Sequence, residues 1–214
     1  MRRHRVSCGA KHRGDAGLAT GVGPLEAVVL AAGSGSRFGG GKLMASWNGG
    51  LLLLEAALAS AFAAPVRSVT VVTGAEAEKV AGVARDFDPR VRIVHAADHA
   101  EGMGASLRAG IASLPQDAGG AFVFLGDMPR VPHAVLAPMT RAVLEGAPAA
   151  APVFQGRRGN PVLLGRELFP QLLALTGDAG ARAVLEALGD RLALIPAPDD
   201  GVLFDVDERA DLKA

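Results

Sequence analysis

The 214-residue chain has one cysteine, Cys8, no excess charge of either sign and no long apolar run. Each lack excludes something. One thiol can form neither an internal disulfide nor a multi-cysteine metal site, which points to a reducing compartment, the cytoplasm. No stretch approaches the ~18 consecutive apolar residues that span a bilayer. The balance of 22 basic and 22 acidic residues is uneven along the chain. The first 24 residues carry five basic side chains against one acidic, which leaves 17 against 21 in the remainder. That mildly acidic body argues against a nucleic-acid binder, whose affinity comes from cationic neutralisation of phosphates. The basic start also lacks the ~7–15-residue apolar core of a secretory signal. It reads as a flexible tail, residues 1–24, ahead of one domain over 25–214, with a basic docking arm as the alternative. His4, His12, His95, His99 and His133 show no metal-ligand spacing. His99, just before "EGMG", reads as a surface residue, with a place in the lining of a pocket as the alternative. With Cys8 in the tail, no covalent mechanism is indicated.

What is present alternates. "EAVVLA" (26–31), "SVTVVT" (68–73), "VRIVHA" (91–96) and "AFVFLG" (121–126) are short apolar runs, the pattern of strands buried on both faces of a parallel sheet. "SLRAGIASL" puts Leu107, Ile111 and Leu114 on one helical face. "VPHAVLAPMTRAVLEG" starts near Pro132 and ends at Gly146, with Pro138 expected to kink or split it. "GDAGARAVLEALG" offers Asp178 as a cap, a stripe of Ala181, Val184, Leu185 and Leu188, and Gly189 as a stop. "RLALIPA" and "VLFDVD" read as two closing strands. The expected fold is a single Rossmann-like three-layer α/β/α domain with a mostly parallel mixed sheet. Ligands of such sheets bind beyond the carboxyl ends of the strands. That rule selects the loop after Ala31, the turn Thr73-Gly74, the stretch Glu101–Ser106 and "GDMP" (126–129).

The loop "LAAGSGSRFGGGKLMA" (30–45) nearly fits two phosphate-binding patterns and satisfies neither. The dinucleotide fingerprint needs glycine at Phe38, and the P-loop needs glycine at Ser36 and a hydroxyl at Leu43. Its glycines would still let backbone N–H groups approach anionic oxygens, with Arg37 and Lys42 as two cations within reach of one triphosphate. An ordinary strand-to-helix turn remains the alternative. Asp127 is a lone carboxylate at the end of an apolar strand, either a turn residue or a ligand. Asp205 and Asp207, read as alternate residues of a strand, would share a face. Either could instead cap a terminal helix.

The same loop, with "VTG" (72–74), "EGMGASLRAG" (101–110), "LGDMP" (125–129), "APVFQGRRGNPVLLG" (151–165), "LLALTGDAGAR" (172–182) and "LFDVDERADL" (203–212), resembles the nucleotidyltransferases of Rossmann-like fold that activate sugars, alcohols and cofactors with NTPs. It is most similar to the molybdenum cofactor cytidylyltransferases, and the likeness runs in order over roughly residues 25–212. It implies the nucleotide-diphospho-sugar transferase type of fold and transfer of CMP from CTP to molybdopterin with release of pyrophosphate. Alternatives are another cytidylyl- or guanylyltransferase, or a non-catalytic molybdopterin-binding chaperone.

The resemblance implies catalytic roles for Arg37, Lys42 and Asp127, and a Mg2+ held by Asp127 and Asp207, with Asp205 secondary. It implies a nucleotide subsite at Ala31, Ala32, Gly33, Gly35, Thr73, Gly74, Gly102 and Ser106; Ser106 is also expected as a helix cap. Guanine-using relatives tend to have glycine where Ala32 stands, so its methyl group is expected to favour a pyrimidine. Asn160 occupies the place where this branch usually has histidine. With Arg182, and with Arg157 and Arg158 nearby, it is the expected contact for an anionic acceptor. Trp47 and "WNGG" are expected to pack as a lid over the loop. A molybdenum hydroxylase is the implied client.

Overall fold

The structure, a computed structural model, describes residues 23–177 and 180–213. The basic start before residue 23 and the expected cap Asp178 lie outside the described residues. The chain runs β1 (Leu25–Ala31), β2 (Ser46–Trp47), β3 (Leu51–Leu52), α1 (Leu53–Ala63), β4 (Val69–Thr73), α2 (Ala77–Phe87), β5 (Arg92–His95), α3 (Met103–Ala112) and β6 (Gly120–Leu125). It continues through α4 (Leu136–Leu144), β7 (Ala149–Phe154), β8 (Arg157–Arg158), β9 (Val162–Gly165), α5 (Phe169–Leu173), α6 (Arg182–Leu188) and β10 (Leu192–Pro196).

Alternation along the strands sets the layers. Ala27, Val29 and Ala31 of β1, with Phe122 and Phe124 of β6, face one core shared with Leu54 and Leu58 of α1, Val80 of α2 and Met139 of α4. Val28 of β1 and Ala121 and Val123 of β6 face the other side, where Leu107 and Ile111 of α3, Leu172 of α5 and Leu185 of α6 cover the sheet. A period of two in the strands therefore yields three layers, α/β/α. α3 seats closely because Gly110 has no side chain: a Cβ there would come within 2.6 Å of Val28 Cγ1.

The sheet order is β10-β7-β9-β6-β1-β4-β5, with β8 added to β7, and β2 and β3 form a separate small hairpin. β1 is parallel to both neighbours, while β9 runs against β6 and β7, and the short β8 runs against β7. This is the single, mostly parallel α/β domain expected.

Three details differ from expectation. β5 is an edge strand with Arg92 and His95 exposed and Ile93 and Val94 only half-buried, so it is not buried on both faces. "VLFDVD" is no strand. It begins in a short 3-10 turn, Asp200–Val202, and continues as extended chain whose Val206 N–H donates to Asp127 O at 3.0 Å, so no ladder forms. Ser106 is not a cap but lies one turn inside α3, whose N-cap is Gly102. The segment around Pro138 does split: a 3-10 turn, His133–Val135, precedes α4, and Pro138 sits in the first turn, where its missing N–H is not needed.

Candidate active site

Four parallel strands end at one rim, and the segments leaving them build a cavity of about 530 Å³. Its lining includes Ala32, Gly33 and Ser34 after β1, His99 and Ala100 after β5, Gly102, Met103 and Ser106 at the start of α3, and Asp127 after β6. Thus three of the four rim segments expected to hold a ligand line this cavity.

The glycine loop folds locally on itself. Phe38 N–H and Gly40 N–H both donate to Gly35 O, at 3.0 and 3.2 Å. Gly35, Gly39, Gly40 and Gly41 all have positive φ, a run that only glycine tolerates without strain. Phe38 is buried, and Arg209 stacks over its ring at 4.7 Å. Gly41 N–H donates to Glu76 Oε2 at 3.1 Å, which ties the end of the loop to α2. Directly after this anchor comes Lys42, in the short 3-10 turn Lys42–Met44.

Lys42 Nζ lies 2.6 Å from Asp127 Oδ2 and 3.7 Å from Asp207 Oδ1, and Arg37 Nη1 lies 3.1 Å from Asp207 Oδ2. Four side chains from the loop, from β6 and from the end of the chain therefore form one chain of alternating charge. The backbone bond from Val206 to Asp127 brings Asp207 there. Asp207 does not act as a helix cap. Asp211 has that task, accepting from the N–H groups of Asp207 and Glu208, which holds its carboxyl below the ordinary value. Asp205 is drawn above its ordinary value, first by partial desolvation and then by the neighbouring charges of Asp127 and Asp207. Trp47 is buried beside this segment, its ring 5.8 Å from that of Phe204.

A second cavity, of about 500 Å³, adjoins the first across Leu30, Met103 and Leu125. It brings together Arg157, Arg158, Asn160 and Arg182, side chains from β8, the turn before β9 and α6. Arg182 is exposed and pairs with Glu186 one turn on, at 2.8 Å, and Arg158 approaches the same carboxylate at 3.9 Å. Those cations, Arg182 first, hold the Glu186 carboxyl below its ordinary value.

Ala32, Gly33, Gly102 and Ser106 thus line the first cavity, and Asn160 and Arg182 the second. Ala31 and Gly35 lie behind the lining, Ala31 in the core and Gly35 against Lys42 Cβ. Thr73 is buried, its hydroxyl directed at Val94 O and His95 Nδ1 rather than at the cavity, and Gly74 packs behind Ala32. Sequence reasoning missed Glu76, which gave no signal because a carboxylate at a helix start reads as a favourable dipole partner. His99, read first as a surface residue, instead lines the cavity, as the alternative reading had it.

A row of paired charges beside a roomy cleft, on this sheet, fits a nucleotidyltransferase of the Rossmann-like α/β class. Residues 27–192 match the MobA-like NTP transferase domain, and the chain belongs to that family. Rv0371c of Mycobacterium tuberculosis H37Rv is similar at 25% identity, over 90% of this chain and 97% of that one, with a TM-score of 0.78. The same protein has been solved in complex with manganese, at 24% identity over 89% and 96% of the chains and a TM-score of 0.72. A nucleotidyl transferase of Methanothermobacter thermautotroptrophicus, Mth528, is 26% identical over 88% and 94%, with a TM-score of 0.72. Molybdopterin-guanine dinucleotide biosynthesis protein A of Archaeoglobus fulgidus, at 19% identity over 88% and 95% and a TM-score of 0.62, shares the fold. No curated protein matches the sequence.

Proposed function

We propose that the protein transfers CMP from CTP to a molybdopterin-type phosphate, with release of pyrophosphate. One observation carries this reading: the first cavity, lined by Asp127 at the end of the alternating charges Arg37–Asp207–Lys42–Asp127, adjoins a second cavity across Leu30, Met103 and Leu125. A nucleotide fits the first, near Ala32 to Ser34, and an anionic acceptor fits the second, near Arg157, Arg158, Asn160 and Arg182. The acceptor oxygen bonds to the α-phosphorus from the second side, and the bond between the α-phosphorus and the β-bridging oxygen breaks.

Lys42 and Arg37 bind the β- and γ-phosphates and neutralise the charge that builds on departing pyrophosphate. Positioning does the rest, because both reactants are held in facing clefts. Asp127 and Asp207 suit a Mg2+ ion, which takes one or two carboxylates and completes its shell with phosphate oxygens and waters. Among the described residues no group of three or more metal-binding side chains is gathered, so the donor set suits an ion shared with a nucleotide. When bound, the ion would supply positive charge to the phosphates. The manganese complex of Rv0371c supports a divalent-ion site in this family.

The choice of CTP rests on Ala32, which lines the cavity at 5% exposure and adds to its wall a methyl group that a glycine would lack. Among the described residues no helix is long and apolar enough to cross a membrane, and action in the cytoplasm belongs to the same reading. A molybdenum hydroxylase client follows from the resemblance alone. The test is pyrophosphate release with Mg2+, CTP or GTP, and molybdenum-bearing molybdopterin. Faster release from CTP supports the proposal. Faster release from GTP replaces CMP by GMP, and acceptor binding with no release from either leaves a carrier.

A further inference from the structure

The polar side chains lining the nucleotide cavity are Ser34, His99, Ser106 and Asp127. Asp127 is held by Lys42. The serine hydroxyls rotate, so each donates or accepts as its partner requires and neither discriminates. His99 differs. Its Nδ1 lies 3.0 Å from Ala96 O, a carbonyl that can only accept, so Nδ1 carries the proton and donates. In the neutral ring the other nitrogen, Nε2, is then an acceptor. It has no partner among the described residues.

The ring is also fixed in place. A Cβ on Gly74 would come within 2.8 Å of His99 Cγ and within 2.8 Å of Ala32 Cβ. The imidazole and Ala32 therefore pack against the same point of the chain. Gly74, expected at the nucleotide, instead admits the ring that lines the cavity. Lys42 and Asp127 mark the phosphate end of the cleft, and Ala32 with His99 marks the end left for the base.

We infer that His99 is a specificity-determining residue whose Nε2 accepts a hydrogen bond from an exocyclic amino group of the base. This rests on the proposed nucleotidyl transfer and deepens it. Cytosine presents an amino donor where uracil presents a carbonyl oxygen, and adenine and guanine differ in the same sense. A site built to pair with a donor rejects the analogue that lacks it, because two acceptors then face each other. Ala32 limits size and His99 reads polarity; together they select cytosine.

The test is equilibrium binding of CTP, UTP, ATP and GTP to the full chain with Mg2+ and no acceptor, for the wild type, His99→Phe and His99→Gln. The wild type is expected to favour CTP over UTP by at least about tenfold. His99→Phe should bring the two within about threefold by weakening CTP while UTP holds, which a misfolded variant could not do. His99→Gln, which retains an acceptor oxygen, should keep CTP within about threefold of wild type. A CTP:UTP ratio unchanged in His99→Phe overturns the inference and leaves the transfer reading intact. Preference for GTP over both CTP and ATP overturns the inference together with the cytidylyl reading. Binding of no nucleotide by the wild type overturns the transfer reading itself, and the inference with it.

Discussion

The two ends of the central strands carry two ion clusters of opposite character. At the amino end, Glu26 is fully buried in β1, accepts from Arg67 Nε at 2.7 Å and from Ser68 Oγ at 2.6 Å, and leaves no carboxylate oxygen unpaired. Arg67 then grips Asp117 with both terminal nitrogens, at 2.7 and 2.8 Å. Residues entering β4, β1 and β6 are thereby bolted together. At the carboxyl end, Arg37, Asp207, Lys42 and Asp127 also alternate in sign, but Asp127 opens onto a cavity and Arg37 and Asp207 are exposed. The first cluster is closed, so any change removes a partner. The second is open, and the proposed transfer has its members trade one another for phosphate and metal ion. Burial and saturation, rather than charge count, separate structure from chemistry.

Breaking the closed cluster is expected to have the largest effect. Arg67→Ala strands a buried carboxylate, the kind of loss that ranks among the most damaging single changes. The thermal midpoint should fall by upwards of about 5 °C in a melting experiment. The protein that remains folded should still bind nucleotide. Asp127→Ala is expected to do the reverse. Loss of one group that acts on the transition state should lower kcat about 100-fold or more, while the midpoint stays within about 2 °C. If both variants lose stability alike, the contrast between the two ends is false.

Lys42→Met sharpens the comparison at the open end. Lys42 is largely buried and pairs with Asp127. Its ammonium therefore competes with a cation for the same oxygens. Without nucleotide, Mn2+ titration should show roughly tenfold tighter binding in the variant, the order expected for removing one nearby like charge. With nucleotide present, the phosphates lose a cationic partner and affinity for NTP should fall. A single substitution that improves one ligand and weakens the other is what an exchange of partners requires.

These contrasts were unequally legible in the sequence. β1, β4 and β6 declared themselves because strands covered on both faces are runs of Val, Ile, Leu and Phe. β7 did not: "AAAPVF" is poor in strand formers, and it is a strand because β9 and β10 flank it. "VLFDVD" has the alternation of a strand and no sheet neighbour, so local pattern misled. Within the site, Lys42 and Asp127 stood out because charge beside glycine after a strand is unusual, and Arg37 because it sits in the same glycine-rich loop; Asp207 came from the resemblance. Glu76 accepts from the backbone N–H of Gly41, thirty-five residues away, and no spacing rule reports that.

The smallest expected effect lies in the outer half of the closed cluster. Asp117 is exposed, and its hydrogen bonds from Arg67 hold the carboxyl below its ordinary value. A carboxyl whose folded value is depressed binds fewer protons in the folded than in the unfolded state at intermediate pH. Its stabilising contribution is therefore complete above the unfolded value, about 3.9, and vanishes as pH falls through the lower folded value. Asp117→Asn should be slightly less stable than wild type at pH 7, and the gap in denaturation midpoint should narrow only below about pH 4. A gap that persists at low pH would mean that Asp117 contributes packing rather than charge. Glu26 would then be the charged partner that holds the Arg67 side chain at the amino end.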